Sequence, residues 1–202
     1  MVNHWWWRPG WSAGRRYLTW HLTFAEAGDL HRLADEYRRA LAGVPGLDLV
    51  PDRWLHLTMQ GLGFADELDR AEVGAIVDAA TARLVRVGAF ELRVGTAVVV
   101  PEGILMHAEP AERVREVRSA IRAAIAGVRP AVLRDEESAE SFRPHVSVAY
   151  SNSDRRAAPA IAAVASVSGG PALIWVASAQ LILLGRDERM YTWEPFATAE
   201  LG

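Results

Sequence analysis

Two short segments of the sequence each combine a histidine with a hydroxyl side chain two residues later. Residues 56–59 read His-Leu-Thr-Met, and residues 145–148 read His-Val-Ser-Val. Successive side chains of a β-strand point to opposite faces, so His56 lies beside Thr58 and His145 lies beside Ser147. If the two strands face each other, they place two proton-transfer groups and two hydrogen-bond donors around one reacting atom.

This set of groups suits in-line displacement at phosphorus. A neutral imidazole can take a proton from water or a hydroxyl group, and a protonated imidazole can give one to the leaving oxygen, because histidine titrates near neutral pH. The hydroxyl groups of Thr58 and Ser147 can hydrogen-bond the non-bridging phosphate oxygens. We assign His145 as the base that orients water and His56 as the acid, and the residues alone also permit the reverse. Neither a metal nor another cofactor is expected.

The periodicity of apolar residues predicts strands and helices that alternate along the chain. Each half offers a strand, a helix and then a strand with a histidine-hydroxyl pair, which favours an α+β fold with two duplicated sheet-and-helix lobes and a central cleft. No linker is evident, so residues 1–202 are expected to form a single bilobal domain, with a polar exposed loop over residues 134–138. The predicted strands cover residues 17–24, 47–50, 54–61, 90–94, 97–100, 104–108 and 144–150, the helices cover 29–42, 69–87, 110–126 and 155–164, and a closing hairpin joins 173–184 to 191–197.

Composition restricts the possible partners. The formal charge of −3 and the pI near 6.1 disfavour tight binding to long duplex nucleic acid, although a local arginine cluster can still serve one phosphate. The chain has no cysteine, which excludes disulfides, thiolate metal sites and a cysteine nucleophile. It lacks a signal peptide and any long uncharged apolar stretch, so we expect a cytoplasmic monomer with no membrane contact.

Residues 55–63 and 142–149 resemble the paired motifs of the 2H phosphoesterase superfamily, which includes 2′-5′ RNA ligase-like proteins and cyclic phosphodiesterases. The resemblance extends to the Leu-Gly pair at residues 62–63, to Pro144 directly before the second histidine, and to a closing hairpin near Tyr191. It implies a bilobal α+β fold with both motifs on central strands. It also implies chemistry on the 2′,3′-cyclic phosphates or 2′-5′ linkages of nucleotides or RNA ends.

The sequence departs from this family after the second motif. RNA-ligase-like members often carry a basic residue shortly after it, whereas residues 149–152 of this chain read Ala-Tyr-Ser-Asn. Tyr150 in this stretch is a candidate substrate contact. Arg143 or Arg186 could supply the positive charge instead, although an arginine in such a place is more commonly a surface residue with no role in binding. Trp54 lies two residues before His56, and we expect it to share that strand face and to form a base-stacking wall.

The other histidines compete with this assignment to different degrees. His21 belongs to a third histidine-hydroxyl pair, but its place resembles the family's opening strand, so we expect it to line the cleft as a substrate contact. Any one such pair taken alone is better explained as a structural strand histidine whose hydrogen bond is made by a neighbouring hydroxyl group. His107 and His31 are expected to be structural or surface residues. His4 adjoins the N-terminus, and no role is predicted for it.

Eight tryptophans are unusual at this length, and four of them crowd the N-terminal segment 1–16. Such a cluster could stack nucleobases, or it could pack as a hydrophobic latch over one lobe or as an oligomer contact. The latch or contact is the commoner arrangement.

Two other functions remain open from the sequence. The first is a binding module that holds a nucleotide or phosphorylated metabolite in the same cleft without turnover, which the missing basic residue favours. The second is a histidine metallohydrolase, which is disfavoured because no metal-binding spacing with an adjacent carboxylate accompanies the histidines.

Overall fold

Nine strands and four helices alternate along the part of the chain that the computed structural model describes, residues 1–133 and 141–202. The loop predicted over residues 134–138 lies outside the described residues. No helix within the described ranges combines the length and the apolar character needed to cross a membrane. The strands are β1 (Tyr17–Thr23), β2 (Leu47–Leu49), β3 (His56–Phe64), β4 (Phe90–Val100), β5 (Gly103–Glu109), β6 (His145–Ser151), β7 (Ala172–Val176), β8 (Ser178–Gly185) and β9 (Thr192–Glu200), and the helices are α1 (Gly28–Leu41), α2 (Arg70–Leu84), α3 (Ala111–Val128) and α4 (Ala158–Ala165).

The strands form two antiparallel sheets, ordered β3-β1-β8-β9 and β2-β6-β5-β4-β7. β3 and β6, the two histidine-bearing strands, contact each other between the sheets. β3 is an edge strand of its sheet, so the expectation that both motifs lie on central strands is wrong for the first motif. Its position at the edge is what brings β3 next to β6 of the other sheet.

Each sheet is covered by a pair of helices. In each pair, one helix follows a strand of the other sheet in the chain. α1 follows β1 of the first sheet but contacts β6 and β7 of the second, where α4 also packs. α3 follows β5 of the second sheet but contacts β3 of the first, beside α2. The predicted α+β fold with two sheet-and-helix lobes is confirmed.

The apolar stripe of α1 shows why the helices form where the sequence predicts them. Leu30, Leu33, Tyr37 and Leu41 are buried at a spacing of three or four residues. Burial of each leucine stabilises the fold by about 1.5–3 kcal/mol relative to exposure. The hydroxyl group of Tyr37, which burial would otherwise leave unpaired, accepts a hydrogen bond from the backbone N–H of Ala97 at 3.0 Å.

Two strand predictions need correction. Gly95 was expected to separate two strands, but β4 is continuous, with irregular pairing between Val94 and Ala97. A glycine in this place marks a β-bulge, not a turn. Residues 173–184 were expected to form one strand, but β7 pairs with β4 of the second sheet and β8 pairs with β1 and β9 of the first. The chain therefore changes sheets at Ala177, and only β8 with β9 forms the predicted hairpin.

Asp69 caps the N-terminus of α2, where its carboxylate accepts hydrogen bonds from the backbone N–H groups of Ala71 and Glu72. We expect Asp69→Ala to lower the free energy of unfolding by about 1 kcal/mol, because these N–H groups lose their partner. Urea titration measures this loss. Asp78→Ala removes an equal charge from an exposed position within the same helix and is the matched control. An equal loss in both variants would show that the cap does not matter.

Candidate functional site

A cavity of about 560 Å³ lies between the two sheets and holds both histidine-hydroxyl pairs. His56 and Thr58 line it from β3, and His145 and Ser147 line it from β6. The four residues predicted to act together thus border one space, although their motifs are far apart in the sequence. No group of three or more histidine, cysteine, aspartate or glutamate side chains in residues 1–133 and 141–202 is arranged to hold a metal ion.

The apolar residues of both motifs are buried as predicted, and these include Met59 and Val148, the last residue of each motif. Leu57 and Val146, the residues that follow the two histidines, are buried in the core. In β6, Val148 is an extra residue between two register pairs, which makes it a β-bulge. A bulge shifts the alternation by one residue. Tyr150 therefore lines the cavity together with Ser147, although regular alternation would place it on the opposite face.

Both motif histidines are held by the same backbone contact. Nδ1 of His56 lies 2.8 Å from the carbonyl oxygen of Trp54, and Nδ1 of His145 lies 2.8 Å from that of Arg143. Because a carbonyl oxygen only accepts, each Nδ1 carries the hydrogen, and a neutral ring keeps its lone pair on Nε2. The carbonyl group two residues earlier thus fixes the tautomer and the ring orientation of each histidine.

His21 stacks on His56, with ring centroids 4.5 Å apart and an angle of 5° between the planes. Burial lowers the pKa of His56 to about 4; the hydrogen bond to the Trp54 carbonyl raises it, and the charge of His145 lowers it further. Burial and the neighbouring His56 hold the pKa of His21 well below its usual range. Both stacked rings are therefore neutral at neutral pH, so His56 is able to accept a proton.

Thr58 lies beside the stacked pair, with its hydroxyl oxygen 3.3 Å from Nε2 of His21. Nδ1 of His21 is buried and has no partner among the described residues. A buried N–H without a partner costs about 1–3 kcal/mol, so the tautomer with the hydrogen on Nε2 is favoured. His21 then donates to Thr58, and the hydroxyl hydrogen of Thr58 is left for a ligand.

Tyr150 and Ser147 form the opposite wall of the cavity. Burial raises the pKa of Tyr150, as does the neighbouring Tyr191, whereas a hydrogen bond with Ser147 opposes the rise. Tyr150 is consequently a neutral phenol near neutral pH. It does not replace the charge of the basic residue that the family often carries near this place.

Two predicted substrate contacts do not line the cavity. Trp54 lies in the short 3-10 turn Asp52–Trp54 before β3, because the strand begins only at His56, and the prediction that it shares the strand face is wrong. Its ring packs against Trp193 at 4.7 Å. The side chain of Arg143 is exposed, and its carbonyl group, not its guanidinium, holds His145.

Trp193 of β9 is a neighbour of the site that the sequence did not indicate. Its ring meets those of His56 and His21 edge-on, with centroids 5.2 Å and 5.9 Å apart. Trp193 therefore packs against the stacked histidines. No local pattern connects it with them, since the contact depends on the pairing of β8 with β9.

The N-terminal strap, residues 1–16, forms one end of the cavity. His4 is 8% exposed, although no role was predicted for it. Its Nδ1 donates to the carboxylate of Glu102 at 2.9 Å, and its Nε2 accepts from the hydroxyl group of Tyr191 at 3.0 Å, as its neutral ring requires. Its ring also stacks on Tyr150, with centroids 4.4 Å apart. Burial, with the charge of Arg8, lowers the pKa of His4 to about 4.

The tryptophans of the strap serve different purposes. Trp11 lines the cavity, Trp5 packs against Tyr150 and Tyr191, and Trp6 and Trp7 are half exposed. The strap thus packs over the fold, as the latch alternative predicted.

The family model of the 2′-5′ RNA ligase superfamily matches residues 27–188. A Thermus thermophilus protein of known structure has 18% identity and a TM-score of 0.65, over 92% of this chain and 97% of that one. Escherichia coli LigT complexed with 3′-AMP has 14% identity and a TM-score of 0.68, over 93% and 98%. A structure described as a phosphoesterase has 16% identity and a TM-score of 0.66, over 93% and 98%. No curated protein sequence matches the chain significantly.

At these identities the solved structures establish the fold alone, and the family model establishes the relationship. The matched range includes both histidine motifs and begins after the strap and β1. The chain therefore belongs to the 2′-5′ RNA ligase superfamily, within the two-histidine phosphoesterases that its paired motifs resemble.

Proposed function

We propose that this protein is a metal-independent phosphodiesterase that opens nucleoside 2′,3′-cyclic phosphates or cleaves 2′-5′ linkages at nucleotide or RNA ends. The observation that carries the proposal is the pair of imidazoles on one cavity, each with Nδ1 held by a carbonyl group and each with a hydroxyl group beside it. This arrangement supplies the proton acceptor, the proton donor and the phosphate contacts that displacement at phosphorus requires.

In the proposed reaction His56 is the base and His145 is the acid. Buried His56 has a pKa of about 4 and is neutral at neutral pH, so its Nε2 can take a proton from water. The water oxygen forms a bond to phosphorus while the bond from phosphorus to one ribose oxygen breaks. Protonated His145 gives its proton to that ribose oxygen, and a nucleoside monophosphate results. These roles reverse the first assignment, which the sequence had left open.

Thr58 and Ser147 are the proposed contacts to the non-bridging oxygens. The hydroxyl hydrogen of Thr58 is available because His21 donates to its oxygen. Charge on the phosphate oxygens shifts during displacement, and donors already oriented toward them stabilise the transition state. His21 and Tyr150 are proposed to position these two hydroxyl groups.

Solved relatives support a nucleotide as the ligand. LigT structures exist as complexes with 3′-AMP and with phosphate. A 3′-phosphorylated nucleoside has the chemistry of a product of the proposed reaction, and the cavity volume of about 560 Å³ is in the range of sites for small ligands.

The alternative is a binding module on the same fold. Tyr150, a neutral phenol where a basic residue is often found, favours it. Such a module would bind the nucleotide with the same residues but would not complete the proton transfers.

An assay of purified protein with adenosine 2′,3′-cyclic phosphate in the presence of EDTA tests the proposal. We expect conversion to a single adenosine monophosphate, read by phosphorus NMR, and no conversion by the His56→Ala, His145→Ala double variant. Turnover that survives in the double variant rejects the assignment. Binding without turnover, across cyclic and 2′-5′ linked substrates, identifies a binding module, and loss of turnover with EDTA indicates a metal enzyme.

A further inference from the structure

The strap lines the same cavity as the two histidine motifs, through His4, Arg8 and Trp11. It is anchored on the second sheet, where the backbone N–H of His4 donates to the carbonyl oxygen of Ser151 at 2.8 Å. It is also anchored next to the first sheet, where Arg15 contacts the carboxylate of Asp66 at 2.9 Å. Between these anchors Arg8 lines the cavity. The strap is therefore placed to contact a ligand and not only to cover the core.

The guanidinium groups of Arg8 and Arg186 and the carboxylate of Glu102 lie near one another beside the strap. Nη2 of Arg8 donates to Glu102 at 2.7 Å. Arg186 is only 4% exposed, and Nη2 donates to the carbonyl oxygen of His4 at 3.2 Å. Among the described residues no carboxylate forms an ion pair with Arg186; its neighbour Asp187 pairs with Arg16, and Glu102 acts on Arg186 only at longer range. Arg8, Arg186 and Glu102 together carry one net positive charge.

Two N–H groups of these arginines have no hydrogen-bond partner within residues 1–133 and 141–202. Nε of Arg8 and Nη1 of Arg186 are both buried without a hydrogen bond among the described residues. The guanidinium of Arg186 is packed against the rings of Trp5, Trp11 and Tyr191, at 5.6–5.8 Å from their centroids. Arg186 lies behind Arg8 and does not itself line the cavity, and Glu102 is the carboxylate that acts on both arginines. A buried cation that is not fully paired is costly, so the excess positive charge favours an anion beside Arg8.

Arg8 lines the same cavity as the two motif histidines but acts on a different set of groups. Arg8 acts electrostatically on His4, Tyr150 and Tyr191. His56 instead responds to His145. Tyr150 links the two sets of groups, since its ring stacks on His4 and its hydroxyl group hydrogen-bonds Ser147, and it contacts Tyr191 at 5.3 Å. A ligand with one anionic group at the histidines and a second at Arg8 would match both parts of the cavity.

We propose that Arg8 binds a second phosphate of the substrate, while Arg186 behind it keeps this end of the cavity positive. The proposal rests on the proposed function and narrows its substrate class to nucleotides that carry a further phosphate, such as a 5′-phosphate, besides the phosphodiester that reacts. Glu102 does not prevent this contact. Its carboxylate still accepts hydrogen bonds from His4 and Trp6 when part of the Arg8 guanidinium turns to the phosphate.

Calorimetry with adenosine 3′-monophosphate and adenosine 3′,5′-bisphosphate tests the proposal without requiring turnover. We expect the bisphosphate to bind about tenfold more tightly to the wild-type protein, because an arginine-phosphate contact is a charge-assisted hydrogen bond. Arg8→Gln is expected to abolish this difference and to leave the affinity for the monophosphate unchanged. Arg15→Gln, which removes an arginine of the same strap that pairs with Asp66 and Glu67, is the matched control and should keep the difference.

A second variant separates binding from a merely structural role. Glu102→Gln removes the competing carboxylate, so we expect the preference for the bisphosphate to increase. Failure of wild-type protein to prefer the bisphosphate overturns the proposal, as does a preference that survives in Arg8→Gln. If the preference is present and depends on Arg8 but no cyclic phosphate is opened, the proposed activity fails while the second phosphate site remains.

Discussion

His56→Ala and His145→Ala are each expected to lower kcat/KM for adenosine 2′,3′-cyclic phosphate by about 10²–10⁴-fold, the usual contribution of one positioned acid or base. Without His56, no neutral Nε2 is available to take the proton of the attacking water. Without His145, the ribose oxygen must leave without a proton. Steady-state kinetics with purified variants at pH 7 measures both effects.

The kcat/KM of the double variant is expected to be only slightly lower than that of the less active single variant. The two histidines act on one transition state, and residues that act as a unit are not additive. His107→Ala is the matched control, because His107 lies opposite His145 on β5 but is exposed and does not line the cavity. Its kcat/KM should equal that of wild type. A single variant that retains full activity would remove that histidine from the mechanism.

The sequence predicted the two motif strands because one face of each is apolar and the other carries the polar groups. A strict alternation, such as Leu57 after His56, can be seen in a single sequence. The helices were predicted for a similar reason, since α1 and α3 bury one apolar stripe each. Local patterns of this kind depend on neighbours a few residues away.

Sheet membership could not be predicted in the same way. The apolar pattern continues from β7 into β8, yet the two strands belong to different sheets. Nothing in the alternation shows where a chain leaves one sheet for another, because the core is apolar on both sides. The bulge at Val148, which brings Tyr150 to the cavity, is likewise set by pairing with β5 and not by the residues of β6 alone.

The site was predicted where a motif marks it and missed where only distant contacts build it. Thr58 and Ser147 follow their histidines directly, so the sequence identified them. His4 and Trp193 reach the site from the N-terminal strap and from β9. The only available signal for the strap was its unusual run of tryptophans, which indicates packing but not a partner.

The buried histidines are also expected to make the fold sensitive to acid. His4 and His56 have pKa values of about 4 in the folded protein, against about 6.5 in an unfolded chain, and the pKa of His21 lies well below its usual range. Between pH 6.5 and pH 4 the unfolded chain therefore binds protons that the folded protein does not. The free energy of unfolding must then rise with pH across this window and fall on acidification.

Each such histidine is expected to remove about 1.4 kcal/mol of stability per pH unit once the pH is well below 6.5. His4 and His56 together would remove roughly 3 kcal/mol per unit, a large share of the 5–15 kcal/mol typical of a folded protein. Urea titrations between pH 8 and pH 4.5 measure this slope. We expect His4→Gln and His56→Gln each to reduce it by about 1.4 kcal/mol per unit, whatever their stability at pH 8, where all curves should be parallel. Stability that does not change between pH 7 and pH 5 would contradict the burial of these rings as neutral groups.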